Sequence, residues 1–169
     1  MSTHTWLIEI TSLRSGLTVL TTASPKNFDL VKSRGADEVF DYNDPECAAK
    51  IRSHTKNSLR YVLDCISTES SFKICAAALS SDSSKELDCV ALLPLETWPR
   101  EDVNARPVLA YTSFGEEFSK FGATFPPLED HYNLSVKFWA LHAKLMAEGK
   151  IKPHPVTVWE GGLQGVPKG

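Results

Sequence analysis

The sequence lacks the features that mark a membrane, nucleic-acid or zinc-binding protein. No apolar run approaches the roughly 18 residues that a membrane-spanning helix requires. The formal net charge of −3 gives no electrostatic basis for binding nucleic acid or an anionic membrane. The four cysteines show no CxxC spacing, which argues against a structural zinc site. Three of them, Cys65, Cys75 and Cys89, lie in apolar stretches, which predicts buried thiols in a reducing compartment, the cytoplasm.

Catalytic and phosphate-binding motifs are also missing. The chain has no Ser-His-Asp, HExxH, P-loop or paired-carboxylate signature, and its five histidines are scattered, so no catalytic residue or metal ligand is assigned. No GxGxxG turn is present, and no glycine precedes Gly16. We therefore expect the strand and the glycine turn that bind a dinucleotide pyrophosphate to be absent.

What the sequence does contain is a strand, helix and strand pattern over residues 17–42. A β-branched and apolar stretch begins at Leu17 and predicts a strand buried on both faces. Ser24-Pro25 is a typical helix start, and Gly35 suits the end of that helix. A second strand follows from Val39. The pattern predicts a parallel β–α–β crossover.

The turn between the first strand and its helix carries the chemistry of this unit. In dinucleotide-binding folds a carboxylate here commonly holds the ribose 2′-hydroxyl of NAD. The turn reads Ser24, Pro25, Lys26 and Asn27, with no carboxylate. A hydroxyl, a cation and an amide are compatible with a 2′-phosphate, which favours NADP over NAD. The alternative is that Ser24 only caps the helix and Lys26 is solvated. The local sequence alone favours that alternative, because caps greatly outnumber phosphate sites.

Strands and helices continue to alternate as far as Pro94, which predicts an open, mostly parallel α/β sheet. Asp64 and Ser67, at the end of one predicted strand, either face a ligand at the carboxyl edge or cap the next helix. Tyr111 and Phe114 are interpreted as core residues in preference to pocket residues. The other predicted segments are helix 45–55, strand 59–66, a helix from residue 67, strand 87–93, an irregular stretch 96–106, strand 108–113, loop 115–130, helix 132–148 and at most an edge strand over 151–159.

Several strings occur together in one order: SPKNFDLVKSRGADEVFDY, LDCIS, LLP, AYTSFGEEF, and GKIKPHP followed by EGGL. With them the chain resembles the cofactor domain of medium-chain dehydrogenases/reductases, most of all the fungal zinc-free enoyl reductases, including those that act in trans with polyketide synthases. The resemblance covers about Leu13 to Val166. It implies an α/β fold, an incomplete Rossmann-type doubly wound sheet with flanking helices. The implied domain covers residues 1–166, with a tail of residues 167–169.

The resemblance also implies a chemistry and a set of site residues. The activity is hydride delivery from NADPH to an α,β-unsaturated acyl thioester, carried on a polyketide synthase. The implied cofactor-binding residues are Ser24, Pro25, Lys26 and Asn27 at the 2′-phosphate, Tyr42 at the adenine, and Leu92 and Leu93 at the nicotinamide. The implied substrate-binding residues are Leu109, Ala110, Tyr111, Thr112 and Ser113.

The sequence departs from that family in what it lacks. An N-terminal GroES-like substrate domain is absent, so we expect the single chain to be an incomplete reductase. The alternatives are a non-catalytic NADP-binding module and an inactive truncated gene product. Loss of a central strand would leave strand edges unpaired, so self-association is also expected.

Overall fold

The computed structural model of the chain describes residues 5–94, 97–156, 158 and 160–168, without the side chains of residues 5–7, 10, 167 and 168. The last residue of the predicted tail and parts of the predicted edge strand lie outside the described residues. The helices are α1 Thr5–Ser15, α2 Phe28–Ser33, α3 Cys47–His54, α4 Glu69–Ala78 and α5 Glu129–Ala147, with 3₁₀ segments at Pro25–Asn27, Ala110–Phe114 and Gly162–Lys168. The strands are β1 Leu20–Ala23, β2 Glu38–Asp41, β3 Tyr61–Asp64, β4 Asp88–Ala91, β5 Asn104–Pro107, β6 Phe118–Lys120 and β7 Ala123–Phe125.

The first parallel sheet consists of β1 and β2, joined by the predicted crossover. Pro25 starts the 3₁₀ turn that runs into α2, because its preset φ suits the first helical position. Gly35, just after α2, has a left-handed φ of 96°, which a side chain would disfavour. The parallel unit is confirmed. The predicted strand is wrong in two details, because β1 begins at Leu20 and its Thr22 is exposed.

The second parallel sheet has the order β3, β4, β5. One of its faces is covered by α4 and closes on an apolar core, in which Leu79, Leu87 and Cys89 are at most 1% exposed. On the other face Tyr61 and Leu63 are 53% and 45% exposed. The same face carries Asp88, Asn104 and Arg106, whose side chains bond to one another, so the sheet has one apolar buried face and one mixed face that is apolar and exposed at β3.

The two parallel sheets are separate. Among the described residues no strand is hydrogen-bonded to both β1 and β3. The sheets are connected instead through α3 and α4, where Cys47, Ile51 and Ala78 form a small buried cluster. The α/β class with parallel strands and flanking helices is confirmed, as two parallel blocks and not as one continuous sheet.

The sequence prediction is less accurate after Pro94. β5 overlaps the end of the stretch predicted to be irregular, because its pairing with β4 is a backbone interaction that polar side chains such as Asn104 and Arg106 do not reveal. The predicted strand 108–113 is wrong, since the segment contains a 3₁₀ helix. The predicted loop 115–130 contains the antiparallel hairpin of β6 and β7. The long helix is confirmed as α5, and the described part of 151–159 forms no strand.

A buried ion pair joins distant segments around the first sheet. Arg34 Nη1 lies 2.8 Å from Glu9 Oε1, and both side chains are 7% exposed. The guanidinium of Arg34 also donates to the carbonyl oxygens of Lys152 and Pro153 at 2.7 Å each. Glu9 Oε2 accepts from the backbone N–H of Lys152 at 3.1 Å. This charged cluster fixes α1 and the end of α2 to the segment that follows α5.

Candidate functional site

Parallel pairing places the predicted site residues at the carboxyl ends of strands, in two sets. Ala23 pairs with Asp41, so Ser24 and Tyr42 leave the first sheet next to each other. Ala91 pairs with residues at the ends of both β3 and β5, so the residues that follow these three strands share one edge of the second sheet. Ligands bind at such carboxyl edges in open α/β folds.

The first set centres on the turn Ser24–Asn27. Ser24 precedes the 3₁₀ segment with extended backbone angles, but its hydroxyl caps no backbone N–H and instead accepts from Asn27 Nδ2 at 3.2 Å. Lys26 is exposed and makes no hydrogen bond or ion pair with a described residue. The turn therefore offers a hydroxyl, an amide and an unpaired ammonium within four residues, a set suited to a phosphate.

Tyr42 follows β2 beside this turn and is 49% exposed. The backbone N–H and the side-chain amide of Asn43 both donate to Asp41 Oδ1 at 2.9 Å, which fixes the chain on either side of Tyr42. An exposed ring on a fixed turn suits stacking against a nucleobase.

The second set includes Leu92 and Leu93, directly after β4. Their side chains are 39% and 50% exposed. Their backbone N–H groups both donate to Ser67 Oγ, at 3.1 and 3.2 Å. This loop therefore presents apolar side chains, while its backbone donors are already used within the protein.

Asp64, at the end of β3, serves the local fold. It is almost fully buried, and its Oδ1 accepts from the backbone N–H groups of Ile66 and Ser67 at 2.9 Å each. Its Oδ2 accepts from Ser71 Oγ at 2.6 Å. The cap of α4 is Thr68, whose hydroxyl accepts from the N–H of Ser71. The expectation that Asp64 and Ser67 cap the helix is therefore wrong for both residues, although Asp64 does support the helix start through its bond to Ser71.

The segment predicted to border the substrate forms a 3₁₀ helix after β5, next to the loop of Leu92. Thr112 Oγ1 donates to the carbonyl of Leu109 at 2.8 Å and lies 2.9 Å from His131 Nδ1 on α5. Ser113 Oγ donates to the carbonyl of Ala110 at 2.5 Å. These bonds shape the segment from within and attach it to the start of α5.

Tyr111 in this segment is held by the hairpin. Its hydroxyl accepts from Lys120 Nζ at 2.9 Å, and the ammonium lies 4.6 Å from the ring centroid. The ring contacts Phe118, which stacks on Phe125 with centroids 4.9 Å apart. Tyr111 and Phe114 are 41% and 69% exposed, so their interpretation as core residues is wrong. Tyr111 packs outside the sheet, against the hairpin of β6 and β7, which the sequence analysis did not predict.

Sequence reasoning missed two polar groups that organise the second set. Ser67 was considered as a ligand contact or a cap, not as an acceptor for the loop after the next strand. Its only local signal is an Asp three residues earlier, which is typical of a side-chain-stabilised turn. Lys120 had no local signal, because its partner Tyr111 lies on a different element.

The thiols offer little reactivity at this edge. Burial, followed by the charge of Asp64, raises the pKa of Cys65 to about 11. Cys89 is buried as predicted, whereas Cys65 and Cys75 are only partly buried, and all four cysteines are free. Within the described residues no group of three or more potential ligands could hold a metal ion. No helix in the described ranges is long and apolar enough to cross a membrane.

Several predicted site residues, among them Tyr42, Leu92 and Leu93, are exposed at the ends of strands. A surface hollow of about 520 Å³ lies between α3 and α4, lined partly by Arg52, Lys56 and Asn57. It contains none of the predicted site residues. The candidate site is therefore assigned to the carboxyl ends of the strands and not to this hollow.

The α/β fold of the described residues, with parallel strands and flanking helices, is shared by solved structures. A solved putative zinc-dependent alcohol dehydrogenase from Rhizobium etli matches with a TM-score of 0.68 over 93% of this chain and 43% of that chain, at 20% identity. CurA from Vibrio vulnificus, solved in complex with NADPH, matches with a TM-score of 0.63 over 97% of this chain and 48% of that chain, at 16% identity. These identities are low, so the likeness concerns the fold alone.

Sequence comparison is more specific. No protein-family profile matches the chain. The trans-enoyl reductase ACTTS2 of Alternaria alternata is 46% identical over 155 residues, which are 92% of this chain and 43% of that protein. The dual trans-enoyl reductase/FAD-dependent monooxygenase tazHJ of Aspergillus terreus is 47% identical over 149 residues, 88% of this chain and 21% of that protein. The chain is a relative of the fungal trans-enoyl reductases, as the resemblance predicted, and spans less than half the length of both proteins.

Proposed function

We propose that this chain is the cofactor-binding part of an NADPH-dependent enoyl reductase, which reduces an α,β-unsaturated acyl thioester carried on a polyketide synthase. The observation that carries the proposal is the Ser24–Asn27 turn. It lies at the carboxyl end of a parallel strand, has no carboxylate and leaves Lys26 unpaired among the described residues. The 46% identity to a trans-enoyl reductase and the NADPH bound to CurA support the same activity and cofactor.

The residues of this chain bind and orient the cofactor. Bound NADPH supplies the hydride. The Ser24–Asn27 turn holds the 2′-phosphate through charge-assisted hydrogen bonds, which are stronger than neutral ones. Tyr42 lies against the adenine with its exposed ring. Leu92 and Leu93 present apolar side chains to the nicotinamide and exclude water from that side.

The substrate is proposed to lie along Leu109–Ser113. This segment follows β5, and the N–H of Val108 bonds to the carbonyl of Ala91 at 2.8 Å, which keeps it beside the loop after β4. The nicotinamide and the acyl group would then meet at one edge of the second sheet. Such alignment of two reacting groups can supply a large part of the rate enhancement.

Calorimetric titration tests the cofactor assignment. We expect tighter binding of NADPH than of NADH, and we expect Lys26→Glu to weaken NADPH by about 1.5–3 kcal/mol, or about 10- to 150-fold. Lys137→Glu on α5 makes the same charge change at an exposed residue outside the site, and its NADPH affinity should match that of the unchanged chain. Equal or tighter NADH binding would overturn the assignment.

A second candidate is an NADP-binding module without catalysis of its own, and the exposed side chains of Tyr61 and Leu63 support it as a contact surface for another protein. Loss of NADPH absorbance with a crotonyl-type thioester distinguishes the two candidates. We expect no turnover by the chain alone. Turnover after addition of the N-terminal half of a related enzyme would support the reductase, and binding without turnover in both mixtures would support the module.

Two further features belong to the proposal. Among the described residues β1 and β3 each pair with one strand only, and we expect their other edges to favour self-association, because unpaired strand edges recruit other strands. The four free thiols favour the cytoplasm, because reducing compartments preserve free cysteines.

A further inference from the structure

Ser67 has an unusual backbone conformation at the edge of the second sheet. Its φ is +57°, in the left-handed region that non-glycine residues seldom adopt. It lies between the end of β3 and Thr68, the cap of α4. A conformation of this kind costs free energy and persists only where surrounding interactions hold it in place.

The surrounding interactions come from Asp64. One carboxylate oxygen of this buried residue accepts from the N–H groups of Ile66 and Ser67, and the other accepts from Ser71 Oγ. Ser67 Oγ donates in turn to the carbonyl of Asp64 at 3.1 Å. The turn is thus closed on both sides of Ser67, and the position of its hydroxyl is set.

All the hydrogen-bonding capacity of the Ser67 hydroxyl is used within the protein. Its oxygen accepts from the backbone N–H groups of Leu92 and Leu93, which belong to the loop after the neighbouring strand. Two acceptor positions and one donor are all that a serine hydroxyl offers. A hydroxyl with no remaining capacity does not contact a ligand, but it does fix the loop that it binds.

We infer that Ser67 is a positioning residue, which holds the Leu92–Leu93 loop in the conformation that receives the nicotinamide half of the cofactor. This inference rests on the proposed function, since it assumes that NADPH binds along this edge. Glycine would fit the left-handed backbone but has no acceptor, and a β-branched threonine is strongly disfavoured at positive φ. Serine combines a tolerable backbone cost with the hydroxyl that the loop requires.

The test compares two ligands that share the adenosine end of the cofactor. NADPH occupies both ends of the site, whereas 2′,5′-ADP occupies only the Ser24–Asn27 end. Ser67→Gly removes the hydroxyl and relieves the backbone strain, and Ser67→Ala removes the hydroxyl and keeps the strain. Ser70→Ala is the matched control, because Ser70 is exposed in the same helix start and its side chain bonds only to Thr68 among the described residues.

Calorimetry should show that both Ser67 variants bind NADPH about tenfold more weakly, as expected for loss of hydrogen bonds to the loop, with 2′,5′-ADP affinity unchanged. The Ser70 control should bind both ligands as the unchanged chain does. Unchanged NADPH affinity in both Ser67 variants would overturn the inference, as would an equal loss for both ligands, which indicates general destabilisation. If the unchanged chain binds neither ligand, the proposed function fails and the positioning role fails with it.

Discussion

The carboxyl edges of the two parallel sheets use their polar groups in opposite ways. At the first edge the Ser24 hydroxyl caps no backbone group, and Lys26 has no partner among the described residues. At the second edge the Ser67 hydroxyl makes three hydrogen bonds, and the carboxylate of Asp64 is buried and bonded through both oxygens. The first edge leaves polar groups available to a ligand, whereas the second uses them to hold a loop.

The two sheets are also stabilised differently. Glu9 and Arg34 join distant segments around the first sheet through a buried ion pair. Both sheets pack on an apolar core, around Val31 and Val39 in the first and around Leu79 and Leu87 in the second, so the buried ion pair is an additional support of the first sheet. Function and stability are therefore separable on this chain. A substitution of Lys26 alters neither the buried ion pair nor the apolar cores. Substitutions in the ion pair or the cores should lower the stability of the fold before they affect binding.

The largest effect is expected from Arg34→Met. This change leaves the carboxylate of Glu9 buried without its partner, and breaking a buried pair in this way costs about 3–5 kcal/mol. Urea unfolding followed by circular dichroism measures the loss. If the first sheet depends on this pair, the midpoint should fall well below that of the unchanged chain.

The double variant Glu9→Met with Arg34→Met is the matched control for that prediction. It removes both charges, so it should be more stable than the single variant, because apolar replacement of a whole ion pair is often neutral or stabilising. If the free energy of unfolding of Arg34→Met falls by less than about 1 kcal/mol, the range of a solvated surface pair, the buried ion pair is not a main support of the first sheet.

A somewhat smaller effect is expected in the second sheet from Leu79→Ala. Leu79 is fully buried, and its truncation should cost about 2–5 kcal/mol through lost burial and the cavity left behind. Leu134→Ala makes the same change at a residue that is 67% exposed on α5, and it should alter stability by no more than about 0.5 kcal/mol. Thermal unfolding of the two variants provides the measurement, and similar melting temperatures would disprove the assigned core.

The smallest effect concerns the reactivity of Cys65, at the second edge. Its pKa is raised to about 11 by burial and by the charge of Asp64, so its thiolate form is scarce at neutral pH. Alkylation by iodoacetamide, quantified for the Cys65 peptide by mass spectrometry, should be slow near neutrality and should rise about tenfold for each unit of pH until the pH approaches that pKa. A titration midpoint near the ordinary cysteine pKa would show that the edge is open to water.

Local signals predicted most of the first sheet and little of the region after Pro94. Ser24-Pro25 and Gly35 act on their own backbone angles, so the strand, helix and strand unit was readable from sequence. β5 was not readable, because its residues have no apolar alternation and its position depends on pairing with β4. The aromatic contacts of Tyr111 were missed for the same reason, since the hairpin that holds them was taken for a loop.

The amino-acid order alone was enough to predict the alternating α/β class, the position of the turn between the first strand and its helix, and the relation to enoyl reductases, because turn chemistry, hydrophobic periodicity and motif strings are properties of neighbouring residues. The hydrogen bond between Leu92 and Ser67 joins residues 25 positions apart, and the bond between Arg34 and Lys152 joins residues 118 positions apart. Such pairs become visible only when the chain is folded, because burial and strand register, and not local backbone preference, determine which distant groups meet.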